Sequence, residues 1–274
     1  MTERPAEVAR PGFEEVLNGL AEHFGLVSSG RRMTPTVAKL LSSLVCERRL
    51  VYELEHYTNQ SSVRFDSFYA EMSRFATIKI LDHLKTKLLE EGFTMSYETE
   101  RKDAVGKYDV AIHIGPQSSI LLQGTEQARV EVKAVLSLPL EQIERYLWNP
   151  SPLIIARILT GQVAVLRRDE LKEFVEFSKA EAVAKAERVL SGDIFVVPGD
   201  YCRECRDTAC KYNSLRESPR PKGIVSISRA SFQHDLTAFL RNLPKVADAV
   251  AEAVLEEMLR NATADLGANI PSSA

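Results

Sequence analysis

No apolar run in the 274 residues approaches the roughly 20 that a membrane-spanning helix needs, so no transmembrane segment is expected. The N-terminus, MTERPAEVARPGFEE, has acids where a secretory signal has basic and then apolar residues, and a cytoplasmic location is expected. There is no internal repeat and no low-complexity tract. An excess of positive charge is also missing, since the net charge is −3. That total does not advertise nucleic-acid binding, although binding depends on where the cations lie. Basic clusters stand at Arg48–Arg49, at Arg101–Lys102 with Lys107, and at Arg167–Arg168, and each alone reads as a solvated face. Cysteines are few: the four present do not make a disulfide framework in a cytoplasmic chain. What remains, 45% hydrophobic and 27% charged residues, is the composition of a soluble globular protein. The length suits one large domain or a domain with an appendage.

Periodicity divides the chain further. Residues 1–33 read as an N-terminal arm with one helix, Phe13 to Phe24, ended by Gly25. Thr34-Pro35 opens a second helix, a capping residue followed by proline at the first position, with Leu40, Leu41, Leu44 and Val45 as its apolar face. A long helix from about Phe65 to Glu90 follows, with Phe68, Met72, Phe75, Ile78, Leu81 and Leu88 near helical spacing and Gly92 at its end. The period then changes to that of strands: TMSYETE, YDVAIHI, SILLQ and RVEVKAV, with Gly106, Gly115-Pro116 and Gly124-Thr125 as turns, form a largely antiparallel meander. Pro139 starts a helix, LEQIERYLW, that stops before Asn149-Pro150. GQVAVLRR reads as another strand, Arg168 to Leu190 as a long amphipathic helix, residues 213–223 as a loop, IVSIS as a short strand and Val246 to Leu259 as a C-terminal helix, beyond which the last dozen residues read as frayed.

Within the strand section a set of polar residues stands out. Alternation places Asp109 on one face of its strand, with Val110, Ile112 and Ile114 on the other. Glu131 and Lys133 likewise share a face of the next strand, with Val130, Val132 and Ala134 opposite. Two carboxylates and a lysine from neighbouring strands suit metal-assisted hydrolysis of a phosphodiester: the acids hold a divalent cation and the lysine orients the attacking water. Gln142 and Tyr146, four residues apart, project from one face of the following helix and can reach back over the same centre.

Asp109, the Glu131-Val132-Lys133 triplet and Gln142-Ile143-Glu144-Arg145-Tyr146, in that order and in strand, strand and helix, resemble the acid, E-x-K and Q-x-x-x-Y motifs of the PD-(D/E)xK nucleases in their RecB-like branch. The resemblance implies an α/β fold with a restriction-endonuclease-like core, a central mixed sheet flanked by helices. It implies Mg²⁺ or Mn²⁺ held by Asp109 and Glu131, with Lys133, Gln142 and Tyr146 completing the catalytic set. RecB-like enzymes also supply a His or Glu from the helix before the acid strand; Glu71 is the first candidate here and His83 the second.

The cysteines cluster at one end. Cys202, Cys205 and Cys210 lie within nine residues, and Cys46 is the one remaining cysteine. Such a set of thiolates fits either tetrahedral zinc or an iron–sulfur cluster, and spacing does not choose. The arrangement resembles the iron–sulfur RecB-like nucleases, among them the CRISPR-associated RecB-like exonucleases and the nuclease modules of AddB-type helicase-nucleases. In that group one cysteine before the nuclease core and three after it hold a 4Fe–4S cluster, and Glu47 here replaces the proline that follows the early cysteine. The implied layout is an arm over 1–33, a nuclease domain with a four-cysteine cluster-binding subdomain over 34–212, and an extension over 213–274. The expected function is a metal-dependent DNA nuclease on DNA ends or single strands, in CRISPR adaptation beside an integrase or in repair beside recombination proteins. Alternatives are a catalytically silent nucleic-acid-binding adaptor on the same scaffold, or a redox or metal-sensing protein built around the cysteines.

Overall fold

The computed structural model describes residues 12–28, 30–42, 46–57, 67–100, 103, 109–116, 126–134, 140–199, 202, 205–212 and 229–268. In chain order the elements are α1 (Phe13–His23), β1 (Val27–Ser28), β2 (Arg31–Arg32), α2 (Thr34–Ser42), α3 (Glu47–Glu55) and α4 (Ser67–Glu90). They continue with β3 (Phe93–Thr99), β4 (Val110–Pro116), β5 (Glu126–Lys133), α5 (Leu140–Leu147), β6 (Leu153–Arg157), β7 (Gln162–Leu166), α6 (Lys172–Ser191) and α7 (Arg229–Ala268). No described helix is long and apolar enough to cross a membrane. The chain forms two compact units, one of Met1–Thr58, Ala104–Gly106 and Glu176–Arg220, the other of Asn59–Asp103, Lys107–Val175 and Pro221–Ala274. These units run across the partition at 33 and 212: the arm joins the cysteine segment, and the C-terminal helix joins the sheet.

The first unit is helical. Val16, Leu17, Leu20 and Ala21 bury one stripe of α1, and α2 and α3 contribute Val37, Ala38, Leu41, Leu50 and Leu54 to the interior. Between α3 and α6 lies a buried ion pair: Glu47 Oε1 accepts from Arg188 Nε at 2.9 Å and Nη2 at 2.6 Å. The second oxygen of Glu47 accepts from the backbone N–H of Phe195 at 2.7 Å. A carboxylate so enclosed is tolerable because each oxygen has a donor.

The second unit is mixed α/β. Its five-stranded sheet has the order β3-β4-β5-β6-β7, with β5 and β6 parallel and the other neighbours antiparallel. A parallel pair needs a crossover, and α5 lies in it. One sheet face is apolar throughout: Val110, Ile112, Ile114, Val130, Val132, Ile154 and Ala156 pack with Ala76, Ile80, Leu84 and Leu88 of α4 and with Phe239, Val246, Val250 and Val254 of α7. The other face buries Ala111, Leu153 and Ile155 beneath Tyr146 of α5.

Several sequence expectations need correction. The segment LIIAR, not anticipated as a strand, is β6, buried in the sheet because both its faces are covered. Gly115-Pro116 is not a turn: it closes β4 opposite Thr94 and Phe93, and proline is tolerated there because a strand end need not donate. The described strands of the expected meander, β3, β4 and β5, do pair antiparallel, and the parallel pair arises where the unexpected β6 joins β5. The C-terminal helix starts at Arg229, ahead of the expected Val246, and runs through Pro244 to Ala268, beyond which the chain lies outside the described residues. Burial of Phe239 and Leu243 ahead of the proline offsets its cost of ~3 kcal/mol. Gly92 does end α4, with φ +81°. Gly161 (φ +71°) turns β6 into β7, and Asn242 of α7 donates to the Leu159 carbonyl beside it at 2.9 Å. SILLQ, the loop at 213–223, IVSIS, Gly106 and Gly124-Thr125 lie outside the described residues.

Candidate functional site

The polar group forms where β4 begins and β5 ends, on the face that α5 covers. Asp109 directly precedes β4, and its Oδ2 accepts from the backbone N–H of Val132 at 2.8 Å. Its own N–H donates to Glu131 Oε2 at 3.3 Å. The two acids thus close the end of the β4–β5 ladder by exchanging side-chain-to-backbone bonds. Lys133 Nζ stands 2.5 Å from Glu131 Oε1. Gln142 Nε2 donates to the same oxygen at 2.8 Å and to the Tyr146 hydroxyl at 2.9 Å. One helical turn separates Gln142 from Tyr146, so a single face of α5 delivers both. The structure therefore joins Asp109, Glu131, Lys133, Gln142 and Tyr146 into one bonded group.

Its electrostatics follow from burial. Glu131 is 2% exposed, and its carboxyl is pushed up to about 7 by lost hydration and then by the Asp109 charge, against the opposing pull of Lys133. The Tyr146 hydroxyl is likewise raised, by burial and by the neighbouring Glu131 charge. Lys133 keeps a side-chain exposure of 23%, so the group opens to solvent on the lysine side. Two carboxylates under like-charge strain form a site that gains from a bound cation.

The helix-borne acid is not brought in. Glu71 is exposed on α4 in an ion pair with Arg74 at 2.7 Å, and no hydrogen bond or ion pair links it to Asp109 or Glu131. His83 Nε2 lies 2.7 Å from Asp248 on α7, and that contact belongs to the α4–α7 packing on the opposite sheet face. Arg157 is a cation the sequence did not point to: its place in β6 sets it opposite Lys133 in the parallel register. Three residues of the flagged basic clusters are bound to acids, Arg48 to Asp207 and Arg49 to Glu53, each at 2.6 Å, and Arg167 to Glu257 at 2.6 Å. Arg101, Lys102 and Lys107 lie outside the described residues.

All four cysteines line one partly open cleft of the first unit, with Arg48, Asp207 and Tyr212. Cys46 caps α3, its Sγ accepting from Arg49 N–H at 3.4 Å. Cys202 Sγ accepts from Gly199 N–H at 3.4 Å. Asp207 fixes the connecting loop, taking Arg48 Nε at 2.6 Å and Ala209 N–H at 2.9 Å. Burial raises the Cys46 thiol, and the other three sulfurs raise it further. The thiols are free of disulfides. Among the described residues no three His, Cys, Asp or Glu side chains are drawn together as a metal-ligand group; the sulfurs share a cleft without closing on a common point. The donor set still suits a thiophilic metal or cluster, because four thiols share one cleft and two of the sulfurs, those of Cys46 and Cys202, accept backbone N–H bonds.

Compared with protein-family models, with curated proteins and with solved structures, the chain matches none.

Proposed function

We propose that this chain is a metal-dependent DNA nuclease of the PD-(D/E)xK type, in its RecB-like iron–sulfur branch, acting on DNA ends or single strands. The observation that carries the reading is the bonded group of Asp109, Glu131, Lys133, Gln142 and Tyr146, drawn from a strand start, a strand end and one helix face. Asp109 and Glu131 would hold Mg²⁺ or Mn²⁺, which supplies Lewis-acid polarisation of the phosphoryl group and an acidified water. Lys133, the solvent-open member, orients that water and offsets negative charge at the phosphoryl oxygens. Gln142 fixes the Glu131 carboxylate and, with Tyr146, guides the substrate strand. Glu71 is kept as a further metal ligand only if its ion pair with Arg74 opens.

Cys46, Cys202, Cys205 and Cys210 would hold a 4Fe–4S cluster, with zinc the alternative occupant. Such a group ties residues far apart in sequence and stabilises the unit rather than taking part in hydrolysis.

The test is cleavage of end-labelled DNA in Mg²⁺ and in Mn²⁺. Wild-type protein is expected to cut, and Glu131→Ala and Lys133→Ala, with unchanged circular dichroism, to lose cleavage. Wild-type-like cleavage by either variant overturns the assignment. Tight DNA binding by the wild type without cleavage in either metal favours the silent adaptor.

A further inference from the structure

We propose that Arg157 is a phosphate-binding residue of the same site, holding the backbone phosphate next to the scissile one on the substrate strand. This rests on the nuclease reading above. In the parallel β5–β6 pair, Glu131 stands opposite Ile155 and Lys133 opposite Arg157. Ile154 and Ala156 point into the core shared with α4 and α7, whereas Leu153 and Ile155 pack under Tyr146. Alternation therefore puts Arg157 on the face that carries Glu131 and Lys133.

Two rows cross that face. The first holds Glu131, with Asp109 bonded to it. One side-chain step along β5, about 6.6 Å, the second holds Lys133 and Arg157 side by side. The acid row suits a cation, and the basic row suits what that cation's substrate carries on either side of the reacting phosphorus. In the β6–β7 pair Arg157 faces Gln162, and its Nη1 donates to Gln162 Oε1 at 3.2 Å. Gln162 holds the guanidinium toward β7 while Lys133 Nζ leans to Glu131, so the two cations address different phosphates. A planar guanidinium meets phosphate oxygens through two parallel N–H bonds. The location agrees as well, since the carboxyl ends of parallel strands are where open α/β sheets take ligands.

The test uses full-length protein and a fluorescein-labelled single-stranded oligonucleotide, with binding followed by anisotropy over a salt series in Ca²⁺ and cleavage followed in Mg²⁺. Arg157→Ala is expected to weaken binding about tenfold and to reduce the salt slope by about 0.7, the value for one phosphate contact on a single strand. KM should rise with kcat nearly unchanged. Arg157→Lys should restore most of the salt slope, which a merely structural role would not require. Arg260→Ala, which removes a cation on α7, should leave Kd as in the wild type. Unchanged Kd and KM in Arg157→Ala, or an equal loss in Arg260→Ala, overturns the proposal while leaving the nuclease reading intact. A wild type that neither binds nor cuts the probe overturns both.

Discussion

Burial holds the Glu131 carboxyl near 7, because a charge inside the sheet has lost its water and faces Asp109, and Lys133 recovers only part of that loss. The folded chain thus keeps this proton up to about 7, while in the unfolded chain the group ionises near its ordinary value of 4.5. Between those values the folded state binds more protons, so this group's contribution to stability falls as pH rises from 4.5 to 7. Glu131→Gln should remove that dependence, worth on the order of 2 kcal/mol, as read from urea midpoints at pH 5 and pH 8 in EDTA. An unchanged pH dependence in the variant contradicts the assigned cause. A divalent cation competes with the same proton, so raising Mg²⁺ should move the acid limb of the cleavage profile to lower pH. The bonded group was legible in the sequence because strand alternation and helical spacing fix which side chains share a face. Arg157 was not, since its position depends on the pairing of a strand that periodicity does not reveal. Glu71 is exposed and paired with Arg74, a placement that helical spacing alone does not reveal.

At the scale of elements, β6 and α7 mark where pattern reading stops. LIIAR has no alternation to detect, because a strand covered on both faces is apolar on both. Pro244 lies ahead of the expected helix start at Val246, yet α7 runs through it because Phe239, Leu243, Val246 and Val250 bury on both sides of it. Propensity is local and burial is not, so the tertiary contact prevails. Pro244 itself is exposed, and the Leu240 carbonyl lies one turn before it. Pro244→Ala restores an N–H donor for that carbonyl and should stabilise the chain by about 2 kcal/mol, after allowing for the gain in unfolded-chain entropy. A higher urea midpoint with an unchanged m-value is the expected result, and a lower midpoint contradicts a strained proline. By contrast, the span of α4 was read nearly in full and a glycine at positive φ ends it, although Phe75 and Ile78 of its expected apolar face are exposed and Ala76, Ile80 and Leu84 bury instead.

Across the whole molecule, the chain brings Cys46 into one cleft with Cys202, Cys205 and Cys210, some 160 residues later in sequence. The cluster of three was visible from spacing; that the fourth joins it depends on α3, anchored by Glu47 to Arg188 and by Arg48 to Asp207. Protein purified without oxygen should show a visible band near roughly 400 nm if the cleft holds iron–sulfur. Cys46→Ser and Cys205→Ser should each lose it and unfold at a lower temperature. Stoichiometric zinc with no such band replaces the cluster by a zinc site. The polar group in the sheet carries the central claim, and one measurement reaches it most directly: Kd and single-turnover cleavage rate for the same end-labelled DNA in Mg²⁺, taken on wild type and on Lys133→Ala. The expected result is cleavage by the wild type, with the variant binding about as tightly and cutting at least ~100-fold more slowly. Equal cleavage rates in the two proteins, or a wild type that binds DNA and never cuts it, contradict a nuclease centred on Asp109, Glu131 and Lys133.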